Sequence, residues 1–110
     1  MTSKLEFKHL TSSEEILPTL SLLNQMYPGI TSQEYGESIE EMTKDNGYKM
    51  LAIYSEGRLV AIAGFWILRM FYCGKYLQIS NLVVDENCRG QNIGSQILDY
   101  FETYAKKQNC

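Results

Sequence analysis

The sequence predicts one α+β domain of order β-α-α-β-β-β-α, built around a mostly antiparallel sheet. Three observations carry this reading: period-2 alternation at the N-terminus and in mid-chain, helical spacing of apolar residues in three segments, and glycine turns joining neighbouring strands. With 110 residues, 45% hydrophobic and 21% charged, the chain has material for a single core.

Leu5, Phe7 and His9 alternate with Lys4, Glu6 and Lys8, as in a half-buried first strand. Thr11, Ser12 and Ser13 offer N-cap hydroxyls, and Glu14 and Glu15 fall where the helix dipole favours negative charge. Ile16, Leu17, Leu20, Leu23, Met26 and Tyr27 follow at helical spacing. Pro18 is tolerated near the first turn, and Pro28-Gly29 ends the helix. A second helix opens on Thr31-Ser-Gln-Glu34, a capping-box pattern, presents Tyr35, Ile39 and Met42 on one face, and stops at Asn46-Gly47. Its other face carries Glu34, Glu37, Glu40 and Glu41, which we read as solvated surface rather than a site for a cationic substrate.

Tyr48 to Ser55 and Arg58 to Tyr72 read as strands of a tight hairpin turning at Glu56-Gly57, with Phe65, Trp66 and Phe71 as candidate core or cleft aromatics. Cys73-Gly74 turns into a third strand, Lys75 to Val84, which ends in Leu82-Val83-Val84. The loop Asp85 to Asn92 leads to a helix over Ile93 to Lys107, with Ile93, Ile97, Leu98, Phe101 and Tyr104 as its expected buried stripe.

Charge and composition exclude several classes. A formal net charge of −3 argues against a nucleic-acid partner, which needs a basic face. The longest apolar run, Leu59 to Leu68, is too short to cross a bilayer, so no membrane partner is expected. The start, Met1-Thr-Ser-Lys-Leu-Glu-Phe7, has no signal-peptide stretch, and a cytoplasmic location is expected. Cys73, Cys88 and Cys110 are odd in number and lack metal-ligand spacing, which favours a reducing compartment and no metal.

Chemistry concentrates in Arg89-Gly90-Gln91-Asn92-Ile93-Gly94-Ser95, between an apolar strand and an amphipathic helix. A helix start directs unpaired N–H groups and positive potential outward, and glycines let a phosphate approach the backbone. An isolated Gly-x-x-x-Gly would read as no more than a small-residue turn. The longer string Leu82-Val-Val-Asp-Glu-Asn-Cys-Arg-Gly-Gln-Asn-Ile-Gly-Ser-Gln-Ile-Leu98 resembles the GNAT superfamily of acetyl-CoA-dependent N-acetyltransferases. Arg89, Gly94, Val84, Ser95 and Leu98 match its Arg/Gln-x-x-Gly/Ala-x-Gly/Ala signature after a strand ending in Val.

The resemblance implies acetyl transfer to a small-molecule or peptide amine by direct attack on the thioester, with acetyl-CoA as co-substrate. Backbone amides of Arg89, Gly90, Gln91, Asn92, Ile93, Gly94 and Ser95 would hold the pyrophosphate, and Leu82, Val83 and Val84 would pair with the pantetheine arm as a pseudo-strand. Asn92 replaces a usual small residue and is expected to crowd the pyrophosphate; Glu86 replaces a frequent Pro. Where some members carry a carboxylate base this chain has Ser80 and Asn81, which leaves water, Glu34 or Glu37, and no catalytic residue is assigned. Tyr72, Tyr76, Tyr100 and Tyr104 are expected in core or rim packing. Family members continue with a further strand, helix and strands, so the domain is expected to be incomplete at Cys110. Its last strand is then an open edge through which a homodimer could form. Two alternatives stand beside the enzyme: a non-catalytic coenzyme A or phosphate-ligand binding module, and a small interaction domain without ligand.

Overall fold

Alternating side chains along the middle strands send apolar groups to both faces of one sheet. The computed structural model describes residues 5–45, 47–88, 90 and 92–110, so Lys4, Asn46, Arg89 and Gln91 lie outside the described residues. The elements are β1 (Leu5–Leu10), α1 (Ser13–Ile16), α2 (Leu20–Leu23), α3 (Ser32–Asp45), β2 (Lys49–Ser55), β3 (Arg58–Met70), β4 (Gly74–Val84) and α4 (Ile93–Lys107). The sheet order is β1-β2-β3-β4, antiparallel at every pairing, in the α+β arrangement expected.

On β2, Met50 and Ala52 pack with Leu22, Leu23, Tyr35 and Ile39 of α2 and α3, whereas Leu51 and Ile53 pack with Ile93, Ile97 and Phe101 of α4. Helices therefore cover both faces, which is why the central strands read as continuous apolar runs. Near the outer edge of the α4 layer, Phe7 stacks on Tyr100 at 4.5 Å and His9 Nε2 lies 2.7 Å from the Tyr100 hydroxyl. Burial, aided by the Lys49 charge, lowers the His9 pKa.

The first helix departs from expectation. Ser12 and Glu15 do form a capping box, but a 3-10 turn over Leu17–Thr19, with Pro18 inside it, interrupts the helix, which ends at Leu23. Beyond it the Asn24 side-chain amide donates to the Tyr27 and Ile30 carbonyls, both at 3.1 Å, so the segment folds as turns and leaves Met26 and Tyr27 exposed. The cap of α3 is as expected: Glu34 N–H donates to the Thr31 hydroxyl at 3.1 Å and the Glu34 carboxylate accepts Thr31 N–H at 3.2 Å.

Glu56 (φ 52°) and Gly57 (φ 80°) both take the left-handed conformation, the turn that matches strand twist. At the next hairpin β3 ends at Met70 rather than Tyr72, and Phe71 and Tyr72 stand in solvent rather than in core, cleft or rim. Phe65 is fully buried and Trp66 half-buried. On α4 the buried stripe is Ile93, Ile97 and Phe101, with Tyr104 beside it. Leu98, 100° round from Ile97, is exposed.

Candidate active site

The end of β4 is fastened before the loop begins. Asp85 N–H donates to the Val60 carbonyl at 2.8 Å, and the Asp85 carbonyl accepts Cys88 N–H at 2.8 Å. The Asp85 carboxylate accepts Asn87 N–H at 3.0 Å, holding a short 3-10 turn over Glu86–Cys88. Gln25, from the turn after α2, bridges the same point: its amide donates to Asp85 Oδ1 at 3.4 Å and its carbonyl accepts Glu86 N–H at 2.9 Å. The exposed Arg58 approaches the largely buried Asp85 carboxylate at 3.9 Å, the outer limit of an ion pair.

Past this anchor, Gly90 (φ 88°) and Asn92 (φ 61°) are both left-handed, and α4 starts at Ile93. Asparagine tolerates that conformation better than most residues. Asn92 is exposed and makes no side-chain cap. Its carbonyl accepts Gln96 N–H at 3.3 Å. The first N–H groups of α4 have no acceptor within the helix, and the positive end of its dipole lies there. Nothing comes within 4 Å of a Cβ placed on Gly94, so space above the first turn is open. Gly90, Asn92, Ile93, Gly94 and Ser95, with Val84 and Cys88 opposite, line a pocket of about 370 Å³. The structure thus brings together six of the expected coenzyme residues. Leu82 and Val83 lie on the strand leading in and do not line the pocket, and Val83 is buried among the α1–α3 side chains. Arg89 and Gln91 lie outside the described residues.

A second opening lies on the other face. In the β3–β4 register Gly64 opposes Asn81 and Phe65 opposes Ile79, so Ser80 is the extra residue of a β-bulge. The bulge re-phases the strand. Leu77 and Ile79 pack toward α4, and so do Leu82 and Val84, while Val83 points to the opposite face. Beside the bulge the Tyr48 hydroxyl donates to Asn81 Oδ1 at 3.3 Å. Only glycine fits at position 64, because a Cβ there would collide with the Tyr48 hydroxyl and sit 2.6 Å from Asn81 Oδ1. The Tyr48 ring meets Trp66 edge-on at 5.0 Å, and burial drives the Tyr48 pKa far upward.

Here Leu23, Ile30, Ile39 and Met42 form the apolar wall of a cavity of about 240 Å³. Tyr27, Tyr35, Ser38, Tyr48, Ser80 and Asn81 complete the lining, and none of these ten described residues has a charged side chain. Glu34 and Glu37 are exposed on α3 and absent from this lining; Glu34 is engaged with Thr31, and Glu37 accepts the Gln33 amide at 3.2 Å.

One strand, β4, thus lines a cavity at its bulge and ends fastened to a left-handed loop and an open helix start. Residues 16–110 match the model of the acetyltransferase (GNAT) family. The chain belongs to that family. As a GNAT chain it is assigned acetyl transfer to an amine. An uncharacterized N-acetyltransferase of Bacillus subtilis (strain 168), YhdJ, is 25% identical over 103 residues, covering 94% of this chain and 72% of that protein. Glucosamine 6-phosphate N-acetyltransferase of Arabidopsis thaliana is 23% identical over 117 residues, covering 100% of this chain and 78% of that protein. Among solved GNAT structures, the aminoglycoside N-acetyltransferase AAC(6')-Iy in complex with CoA superposes with a TM-score of 0.76 at 14% identity, over 100% of this chain and 74% of that one. That likeness shows the shared fold.

Several features of this GNAT chain escaped sequence reasoning: the bulge at Ser80, the Tyr48–Asn81 contact with Gly64 beneath it, and the Gln25 bridge. The bulge had a signal, since Leu77-x-Ile79-x-x-Leu82-x-Val84 changes phase between Ile79 and Leu82. Among the described residues, no helix is long and apolar enough to cross a membrane and no group of three or more metal-ligating side chains gathers. Cys73, Cys88 and Cys110 are free thiols.

Proposed function

We propose that acetyl-CoA binds in the 370 Å³ pocket at the start of α4 and that the amine acceptor enters the 240 Å³ cavity at the β4 bulge. The observation that carries this is the open first turn of α4, with no atom crowding Gly94 and left-handed Gly90 and Asn92 before it. Such a turn suits a pyrophosphate, because its N–H groups and dipole both favour negative charge. Arg89 adds a positive charge to the same stretch of chain. Leu82, Val83 and Val84 offer their backbone to the pantetheine arm, and the bulge at Ser80 interrupts regular pairing where the strand passes the cavity.

The coenzyme supplies an acetyl thioester. The neutral amine nitrogen adds to its carbonyl carbon, the C–S bond breaks with the electron pair leaving on sulfur, and the proton lost from nitrogen ends on the thiol by way of water. A backbone N–H of β4 directed at the carbonyl oxygen stabilises the developing charge. The chain's own contribution is to orient the two reactants and to offer the amine a cavity without charge.

We place this reaction in the cytoplasm, in keeping with the three free thiols. Because β4 is an edge of the described sheet, we infer a homodimer formed along its first half, before the bulge and clear of the Leu82–Val84 stretch given to the coenzyme, which light scattering would report as twice the chain mass. The test of the activity is free-thiol release from acetyl-CoA over a panel of amines. Amine-dependent release supports the assignment. Binding of acetyl-CoA without release over the whole panel would leave a binding module, and absence of binding to the folded protein contradicts both.

A further inference from the structure

We propose that the acceptor is a small monoamine with an apolar, ring-sized body, and neither a phosphosugar nor a polyamine. This rests on the 240 Å³ cavity being the acceptor site. Leu23, Ile30, Ile39 and Met42 give the cavity its apolar wall, and among the described residues none that lines it carries a charged side chain. A phosphate monoester carries close to two negative charges and is bound by arginine or lysine forks, for which this wall has no member. Glu34, Glu37, Glu40 and Glu41 put carboxylates on the exposed face of α3, and the two lysines that follow or adjoin lining residues, Lys44 and Lys49, are not part of the lining.

A polyamine fares no better inside. Each further ammonium taken into a neutral, largely apolar cavity loses its water without gaining a partner. A monoamine that enters as the free base avoids that cost. Its N–H can donate to Asn81 Oδ1, which already accepts the Tyr48 hydroxyl and has a second lone pair. Size agrees: an apolar cavity of about 150 Å³ holds benzene, so about 240 Å³ accommodates a ring with a short aminoalkyl chain. Among straight-chain amines, affinity should rise about fourfold per methylene until the cavity is filled.

Trp66 is the single tryptophan of the sequence, and its ring lies 5.0 Å from that of Tyr48, a lining residue, so its fluorescence reports on the cavity without any need for turnover. The experiment titrates the chain with 2-phenylethylamine, glucosamine 6-phosphate and spermidine, reading Trp66 emission, and separately reads acetyl-CoA binding by calorimetry and thiol release. The expected result is a Trp66 response and a kcat/KM for 2-phenylethylamine at least tenfold above those for the other two. Tyr27→Lys, at a lining position 46% exposed and so tolerant of change, should weaken 2-phenylethylamine at least tenfold and leave acetyl-CoA affinity unchanged. Equal or stronger use of glucosamine 6-phosphate or spermidine overturns the proposal, as does a silent Trp66 with 2-phenylethylamine. A Trp66 response that Tyr27→Lys abolishes, in a chain that does not bind acetyl-CoA, would uphold the cavity's selectivity and sink the transfer reading instead.

Discussion

The pocket at the start of α4 is assembled from one stretch of chain, Val84 to Ser95, whereas the cavity at the bulge draws on α2, α3, the approach to β2 and the middle of β4. The first offers backbone groups and needs little from side chains beyond smallness. The second depends on large side chains meeting across the fold, with Tyr48 laid over Gly64 to reach Asn81. Local sites of the first kind tolerate drift elsewhere in the sequence, while sites of the second kind fail when packing fails.

Substitutions can break that contrast. The largest effect is expected at Gly64→Ala, where the added methyl collides with Tyr48; overpacking of this kind costs about 2–3 kcal/mol. Urea unfolding should show that loss, while acetyl-CoA affinity of the folded fraction holds. A stability change under about 0.5 kcal/mol, the usual range of a surface substitution, would mean the Tyr48 packing is wrong. Gly94→Val should do the reverse. Its side chain enters open space, so stability changes little, but acetyl-CoA affinity falls at least about tenfold, or about 1.4 kcal/mol. Calorimetry on the folded variant decides it, and unchanged affinity would remove the coenzyme from that pocket.

Tyr48→Phe is a smaller step, removing the hydroxyl donated to Asn81 while keeping the ring on Trp66; about 1 kcal/mol of stability should go. Smallest of all is a pH effect on the α4 side. The folded state lowers the His9 pKa and so favours the neutral ring. The corresponding stability is present above the ordinary histidine value of about 6.5 and is lost as pH falls through the lowered folded value. Comparing urea midpoints at pH 8 and pH 5.5 should therefore show a drop that His9→Gln reduces. An identical drop in that variant would assign the effect to other groups.

The same contrast explains what the sequence made legible. Gly90, Asn92, Gly94 and the apolar run before them are neighbours in the chain, and their chemistry follows from adjacency to a helix start. Element order, an N-cap hydroxyl before the first helix and the capping box at Thr31 are also local, and the structure has them as expected, with Ser12 as the first cap. Gln25 reaching Asp85, 60 residues on, and Tyr48 reaching Asn81, 33 residues on, depend on tertiary packing that no short window contains. Leu98 and Phe71 misled for a related reason: apolar character alone does not say which way a side chain turns, and both are exposed. The early end of the first helix came from the Asn24 amide bonding forward to Tyr27 and Ile30, a local contact that apolar spacing does not register.

The central claim is that the coenzyme sits at the start of α4 and not in the cavity across the sheet. Amide chemical shifts in a 15N-labelled chain titrated with CoA test it most directly. The account predicts the largest shifts at Val84, Gly90 and Asn92 to Ser95, with small ones at Tyr27, Tyr35 and Ser38. Shifts concentrated at those last three, with Gly94 and Ser95 unmoved, would contradict it.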